Sequence, residues 1–495
     1  MTADATKLDR SLVTGIAWTA AARWLGQLIS WGATLYAARI LKPSDYGLVA
    51  MAMLPIGLAR MAEDFGLDAV LVQDQSLDPE RLSRLAGFAL LVGATCTLVF
   101  VSLARPVASF FNEPPVALAI CGLSVLFVLD ALQIVPRAML QRALQFRRLA
   151  ILALVQVVFT SAALVIAAAN ALGHWSLIVN SLAGALAATL LLIWWHPYRV
   201  AWPRRIASIT GPIQQGWRVL VSRASWYAYT TADQTVIGKM LGKDALGAYS
   251  FATTFANLPM QELTAIVSRV VPGVFVQLQQ ERSQLRRYFL VLTEFLSCLA
   301  FPVAAGIALT ADLIVQIALG PQWNAVVAPL RILCLYAAIF AAQTLLAHLL
   351  MWTGQFRAQM WCSVLAAVLL PIAFLVGSRA GLAGVAWAWS IAFPLVNIPA
   401  FVLGFRTINI GVLDFLRVLT APLVACTAMA VAVTTLAAEL SPSLGPIRTL
   451  ACLALTGASV YAAVMWFGFR SQVNEILATI RAVRSQPSVP ALRPE

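Results

Sequence analysis

Two arginines, Arg23 and Arg223, are the residues on which chemistry could rest. Each lies inside an apolar stretch long enough to cross a bilayer, where a charge is expensive and by default functional. Counted from a span start near position 12, Arg23 lies eleven residues in, roughly 16 Å of helix and near mid-bilayer. It shares a helical face with Gln27, with Ser30 or Trp31, and with Thr34. Arg223 shares a face with Tyr227, with Thr230 or Thr231, and with Gln234. A guanidinium in low dielectric can hold an anion through its fork of N–H donors. The plainer reading is a structural ion pair between helices, or a side chain that reaches back to the interface. Depth and duplication favour an anion path, and Arg269, in a later span, joins the same cavity candidates.

The carboxylates suggest coupling or gating. Asp233 precedes a glycine-punctuated segment running through Gly238, Gly242 and Gly247 to Tyr249. It could bind a proton or sodium ion, or could pair with a nearby arginine. Glu262 and Glu294, also within spans, are further coupling candidates. Arg60 and Asp64 stand where an inner gate would close. The acidic stretch from Glu63 to Glu80 lacks the fixed spacing of a calcium loop and contains no histidine, so it reads as a solvated loop. His174, His196 and His348 are far apart and read as structural. The seven cysteines lack CxxC spacing and read as small buried hydrophobes. No catalytic set, metal site or cofactor is expected.

These residues need membrane helices to position them. The chain has 495 residues, 61% hydrophobic and 11% charged, with mean hydropathy +0.83. A soluble domain would carry about 25% charged residues. Repeated runs of about 20 apolar residues match the length a helix needs to cross roughly 30 Å of hydrocarbon. The expectation is an all-α polytopic membrane protein with about fourteen transmembrane helices. Residues 1–196 form an N-terminal six-helix lobe and 197–215 a basic linker. Residues 216–406 form a second six-helix lobe, 407–469 two additional helices, and 470–495 a cytoplasmic tail. The charged start, leading into a span interrupted by Arg23, does not resemble a cleavable signal peptide.

The net charge of +13 could suggest nucleic acid, but the arginines are dispersed among loops and no nucleic-acid partner is expected. With the N-terminus in the cytoplasm, that side collects about three times as many Lys and Arg as the far side. Both termini are therefore expected in the cytoplasm.

The halves repeat one another. Shifted by two hundred positions, Arg223 falls on Arg23, Lys239 on Arg39, Leu241 on Leu41, Gly247 on Gly47 and Ala252 on Ala52. Gln145-Phe146-Arg147 recurs as Gln355-Phe356-Arg357, and Gly173 has its counterpart in Gly381. Six spans separate the copies, so both begin on the same side. That is a parallel pseudo-twofold repeat, in which ligand sites lie between lobes near the midplane.

Several stretches resemble the Wzx-type lipid-linked oligosaccharide flippases of the multidrug/oligosaccharidyl-lipid/polysaccharide exporter superfamily. They are Ala38-Arg39-Ile40-Leu41-Lys42-Pro43-Ser44-Asp45-Tyr46-Gly47, Asp64-Phe65-Gly66-Leu67 through Val72-Gln73, and the Asp233-to-Tyr249 segment. Gln141-Arg142-Ala143-Leu144-Gln145-Phe146-Arg147 is similar to the colanic-acid, xanthan and succinoglycan exporter branch. The resemblance covers the first twelve spans. It implies two six-helix lobes around a cationic cavity, MATE-like, working by alternating access in the bacterial inner membrane. It implies an undecaprenyl-pyrophosphate-linked oligosaccharide as substrate, membrane lipids as surroundings, and a polysaccharide polymerase or export complex as partner. Trp24, Trp31, Trp226, Tyr227 and Tyr229 would offer sugars aromatic platforms, although such residues are also common at membrane interfaces.

Two other functions compete. A drug or cation exporter of the same superfamily would line its cavity with carboxylates rather than mid-membrane arginines. A membrane glycosyltransferase, polymerase or ligase would present a large far-side loop with paired carboxylates or histidines, and every far-side loop here is short.

Overall fold

The computed structural model describes residues 22–63, 79–198, 200–201, 226–278, 281–440, 445–472 and 474. Among them every regular element is a helix. In hydrocarbon each backbone N–H and C=O must be satisfied inside its own segment, and a helix does that.

Helix α1 covers residues 22–40, α2 Pro43–Glu63, α3 Pro79–Phe111, α4 Pro115–Arg142, α5 Phe146–Ala169 and α6 Trp175–Trp195. A helical turn at 226–230 leads to α7 (Ala232–Met240), α8 (Gly242–Leu278) and α9 (Arg282–Leu309). Short α10 (Ala311–Ala318) and a 3-10 turn (Pro321–Val326) precede α11 (Val327–Trp352), α12 (Phe356–Ser378) and α13 (Gly381–Val396). The chain continues as α14 (Ile398–Ile408), α15 (Val412–Glu439) and α16 (Pro446–Gly468). Proline opens α2, α3, α4 and α16, at the position where its missing N–H costs nothing.

Nine helices among the described residues are long and apolar enough to cross a membrane, ten if the α13–α14 pair, bent by 40°, is counted as one span. The protein is an all-α polytopic membrane protein. The count falls below the expected fourteen in the polar repeat segments. Helix α2 carries Asp45, Arg60 and Glu63, α8 carries Lys243, Asp244, Glu262 and Arg269, and α1 and the 226–240 segment adjoin residues outside the described set. Pro394 lies two residues before the end of α13, so the bend falls beside a residue that disrupts the helical hydrogen-bond ladder.

The chain forms two compact units: residues 1–250 with 318–322, and 251–317 with 323–495. In the first, α4 packs against α2, α3 and α6, and α5 against α6. Leu85, Ala86 and Ala89 of α3 meet Ala131, Ile134, Val135 and Ala138 of α4. Ala33 and Ala37 of α1, with Leu41 just past its end, meet Leu164 and Ala168 of α5. Small residues at these seams let helices approach closely where lipid offers no hydrophobic drive. In the second unit α11 packs against α9 and α13, α12 against α13, and α15 against both α9 and α16. The α3·α4, α4·α6 and α5·α6 pairings thus recur as α9·α11, α11·α13 and α12·α13. Large exposed residues such as Phe467 (84%), Trp194 (77%) and Leu28 (70%) supply the apolar outer surface a bilayer requires.

One turn shows the repeat at atomic detail. The N–H of Gln145 donates to the carbonyl of Leu140, and that of Gln355 to the carbonyl of Leu350, each at 3.0 Å. The preceding residues are left-handed: Leu144 at φ 50° and Gly354 at φ 78°. This is the six-to-one closure of a helix end, which glycine adopts without strain and leucine does not.

Candidate functional site

The two segments aligned by the repeat meet in space. Gly47, in the second turn of α2, and Gly247, in the second turn of α8, face each other across a contact too tight for any side chain. A β-carbon on Gly47 would lie 1.8 Å from the carbonyl oxygen of Lys243, and one on Gly247 would lie 1.9 Å from that of Pro43. Pro43 and Lys243 are themselves counterparts in the repeat. Around them, Lys243 Nζ pairs with Glu113 Oε2 at 3.0 Å, and Lys239 lies 5.2 Å from the ring centre of Phe110. Gln322 donates to the carbonyls of Ala38 and Arg39, two of the acceptors left open where α1 ends. These contacts explain why the boundary between compact units falls inside α8, after Ser250.

Asp233 opens α7 and is 2% exposed. Its Oδ2 accepts from the Tyr249 hydroxyl at 2.8 Å, and its Oδ1 from the Gln234 N–H at 2.8 Å. Tyr249 is fully buried in α8, so the carboxylate ties α7 to α8. Tyr227 serves α2: its hydroxyl donates to the Leu54 carbonyl at 3.1 Å and sits over Gly57, where a β-carbon would meet it.

A second polar seam joins α2, α4 and α6. Arg60, in the last turn of α2, pairs with Asp130 of α4 at 2.6 Å. One turn on, Arg137 donates to Gln133, whose amide donates to Thr189 and to the Ala185 carbonyl of α6. Arg148, at the start of α5, and His196, just after α6, lie 3.3 Å apart, and His348 reaches the Thr344 carbonyl one turn back at 3.0 Å.

In the second unit, Arg286 of α9 donates to Asp414 of α15 at 2.7 Å. Asp414 also accepts from the Gly411 N–H and so caps the start of α15. Beside this pair is a cavity of about 460 Å³ lined by Ser283, Arg286, Arg287, Leu290, Glu294 and Arg417, with Val291, Val418 and Gln472. Arg331 pairs with Asp312 at another position in this unit.

Arg23 and Gln27 are exposed on α1, one turn apart, with Trp24 66% exposed between them. Gln234 and Tyr227 are half-buried, Glu262 is exposed on α8, and Glu294 is buried on α9. Arg269 lies within α8, while Arg223 and Asp64 lie outside the described residues. The reading of all seven cysteines as buried is corrected: Cys334 and Cys362 are buried, Cys452 is exposed and the rest are intermediate. An apolar thiol need not be hidden where the surroundings are lipid. No group of three or more potential metal ligands occurs among the described residues.

Three partners escaped the reading of the sequence. Asp130 was visible as a charge within an apolar run, a signal of functional or structural weight. Tyr249 and Asp414 gave no local sign, since each meets its partner only through the packing of separate helices.

A family model described as polysaccharide biosynthesis protein matches residues 37–328. The lipopolysaccharide biosynthesis protein WzxC of Escherichia coli (strain K12) is 24% identical over 74% of this chain and 75% of its own. The succinoglycan biosynthesis transport protein ExoT of Rhizobium meliloti (strain 1021) is 24% identical over 92% of each chain. Among solved structures, the lipid II flippase MurJ in an inward closed conformation superposes with TM-score 0.73 at 12% identity, covering 92% of this chain and 99% of that one. An inward-facing multidrug resistance MATE family transporter of the MOP superfamily gives TM-score 0.62 at 14% identity, over 78% of this chain and 94% of that one. These two likenesses establish the shared fold.

Proposed function

Because the chain belongs to the polysaccharide biosynthesis protein family, we propose that it flips lipid-linked oligosaccharide repeat units across the membrane for exopolysaccharide or O-antigen synthesis. The substrate is an undecaprenyl-pyrophosphate-linked oligosaccharide, moved from the cytoplasmic to the periplasmic leaflet of the bacterial inner membrane. Both termini are cytoplasmic, and the protein is a transporter rather than an enzyme, handing its cargo to a polymerase or export complex. Arg23 carries the reading from the structure. Its guanidinium and the Gln27 amide are exposed one turn apart on α1, donors suited to phosphate oxygens. A pyrophosphate offers such oxygens, and alternating access by two repeated halves is how a fixed site would serve both leaflets. Arg223, Arg269, Tyr227 and Gln234 complete the proposed path, with Arg60 and Asp64 at the inner gate. Asp233 is the proposed coupling group, ahead of Glu262 and Glu294.

Deleting the gene tests this reading. The surface or secreted polymer is expected to disappear, with its lipid-linked repeat unit accumulating in the inner leaflet. Normal polymer accompanied by altered drug sensitivity would move the chain to the exporter reading.

A further inference from the structure

We propose that the cavity between α9, α15 and the chain just beyond α16 binds a lipid-borne phosphate group. The site lies in the second compact unit and shares with the reading above only Glu294, a coupling candidate. Ser283, Arg286 and Arg287, Leu290 and Val291, and Glu294 follow one another at helical spacing along one face of α9. Arg417 and Val418 of α15 close the second wall, and Gln472 the third. The volume of about 460 Å³ falls within the range of small-ligand sites and exceeds what a bare phosphate fills.

The charge and its position specify the ligand. Three guanidiniums line the cavity against one lining carboxylate, Glu294, and one carboxylate, Asp414, held by Arg286. The same end of the unit carries Arg282, Arg406 and Arg470 against Glu281, whose carboxylate accepts from Gln284. Guanidinium forks suit phosphate oxygens, and α9 and α15 both begin here, so their positive helix ends add to the field. The arginines stand in the first two turns of spanning helices, the level of lipid headgroups. Leu290, Val291 and Val418 add an apolar surface beside them, on which the first part of an attached hydrocarbon chain would rest, with Glu294 one turn deeper on α9. The side-chain oxygen of Gln472 is buried with no hydrogen-bond partner among the described residues, an acceptor suited to a glycerol or sugar hydroxyl.

The test is binding to the purified full chain in neutral detergent, read by native mass spectrometry. The probes are dimyristoyl phosphatidylglycerol, dimyristoyl phosphatidylcholine, farnesyl pyrophosphate and inorganic pyrophosphate. One of the two anionic lipid-borne probes is expected to bind at least tenfold more tightly than the zwitterionic lipid and than inorganic pyrophosphate. Preference for phosphatidylglycerol assigns the site to the bulk bilayer, and preference for farnesyl pyrophosphate to a polyprenyl carrier. The double variant Arg287→Gln, Arg417→Gln leaves the Arg286–Asp414 pair intact and should lower that affinity roughly a hundredfold, about tenfold per lost contact. Asp414→Asn, which keeps an acceptor for the Gly411 N–H and releases Arg286, should raise it severalfold. Equal binding of both lipids, or affinity unchanged in the double variant, overturns the proposal. So does inorganic pyrophosphate matching the lipid-borne probes. None of these outcomes depends on whether the chain flips an oligosaccharide.

Discussion

Gly47 and Gly247 pack reciprocally: each leaves room for the backbone carbonyl of the residue four positions before the other, Lys243 and Pro43 respectively. Reciprocity is the signature of a twofold relation, in which one position contacts a second and the counterpart of the second contacts the counterpart of the first. Here the relation operates within one chain, between segments that the sequence aligns at an offset of two hundred.

Alanine at either glycine is expected to force α2 and the start of α8 apart. The overlap is with backbone, so the cost should reach about 3 kcal/mol, the upper end for overpacking. Thermal unfolding of purified Gly47→Ala, Gly247→Ala and the double variant measures it. The second substitution should cost less in the presence of the first, because the helices have already separated. Full additivity would show that the two contacts are independent.

Substitution of Arg23 separates substrate binding from folding. Arg23→Ala is expected to cut export roughly ten- to hundredfold, the equivalent of about 1.5–3 kcal/mol, while membrane abundance stays near wild type. Lysine should rescue in part, because it keeps the charge without the fork. The Arg23→Glu, Arg223→Glu double variant should abolish polymer output. Normal polymer from that strain would remove both arginines from the path.

Asp233 and Tyr249 distinguish coupling from anchoring. Asp233→Asn keeps the shape and one acceptor oxygen, so abundance should hold while export loses its dependence on proton or sodium gradients. Tyr249→Phe leaves the buried carboxylate short of a donor, and a loss of about 1–3 kcal/mol in stability is expected. Vesicle transport under imposed gradients, read beside thermal unfolding, resolves the two. Export of Asp233→Asn that still follows the gradient would make the residue an anchor alone.

The Arg60–Asp130 pair should behave as a unit. Both side chains are partly exposed, at 44% and 27%, so screening reduces the expected loss from Arg60→Ala to about 1 kcal/mol. Exchanging the charges, Arg60→Asp with Asp130→Arg, should restore membrane abundance lost in Arg60→Asp alone. Failure of the exchange would show that Arg60 acts on something other than Asp130.

Fold class was readable from composition, because apolar runs of membrane length have few other stable forms. The repeat was readable too, since matched positions such as Gly47 and Gly247, or Gln145 and Gln355, survive as identities along the chain. Arg23 and Asp233 stood out for the same reason, as charges in segments that exclude charge. What each of these residues touches was decided by tertiary packing alone. Asp233 meets Tyr249 sixteen positions on, across a helix break, and Arg286 meets Asp414 across 128 residues. The gathering of Arg286, Arg287 and Arg417 around one cavity depends on α9 packing against α15, two helices with no local sign of each other. Glycine at 47 and 247 was legible as a match, but its reason was not. Only when two backbones come within a carbonyl's reach does the absence of a side chain become a requirement.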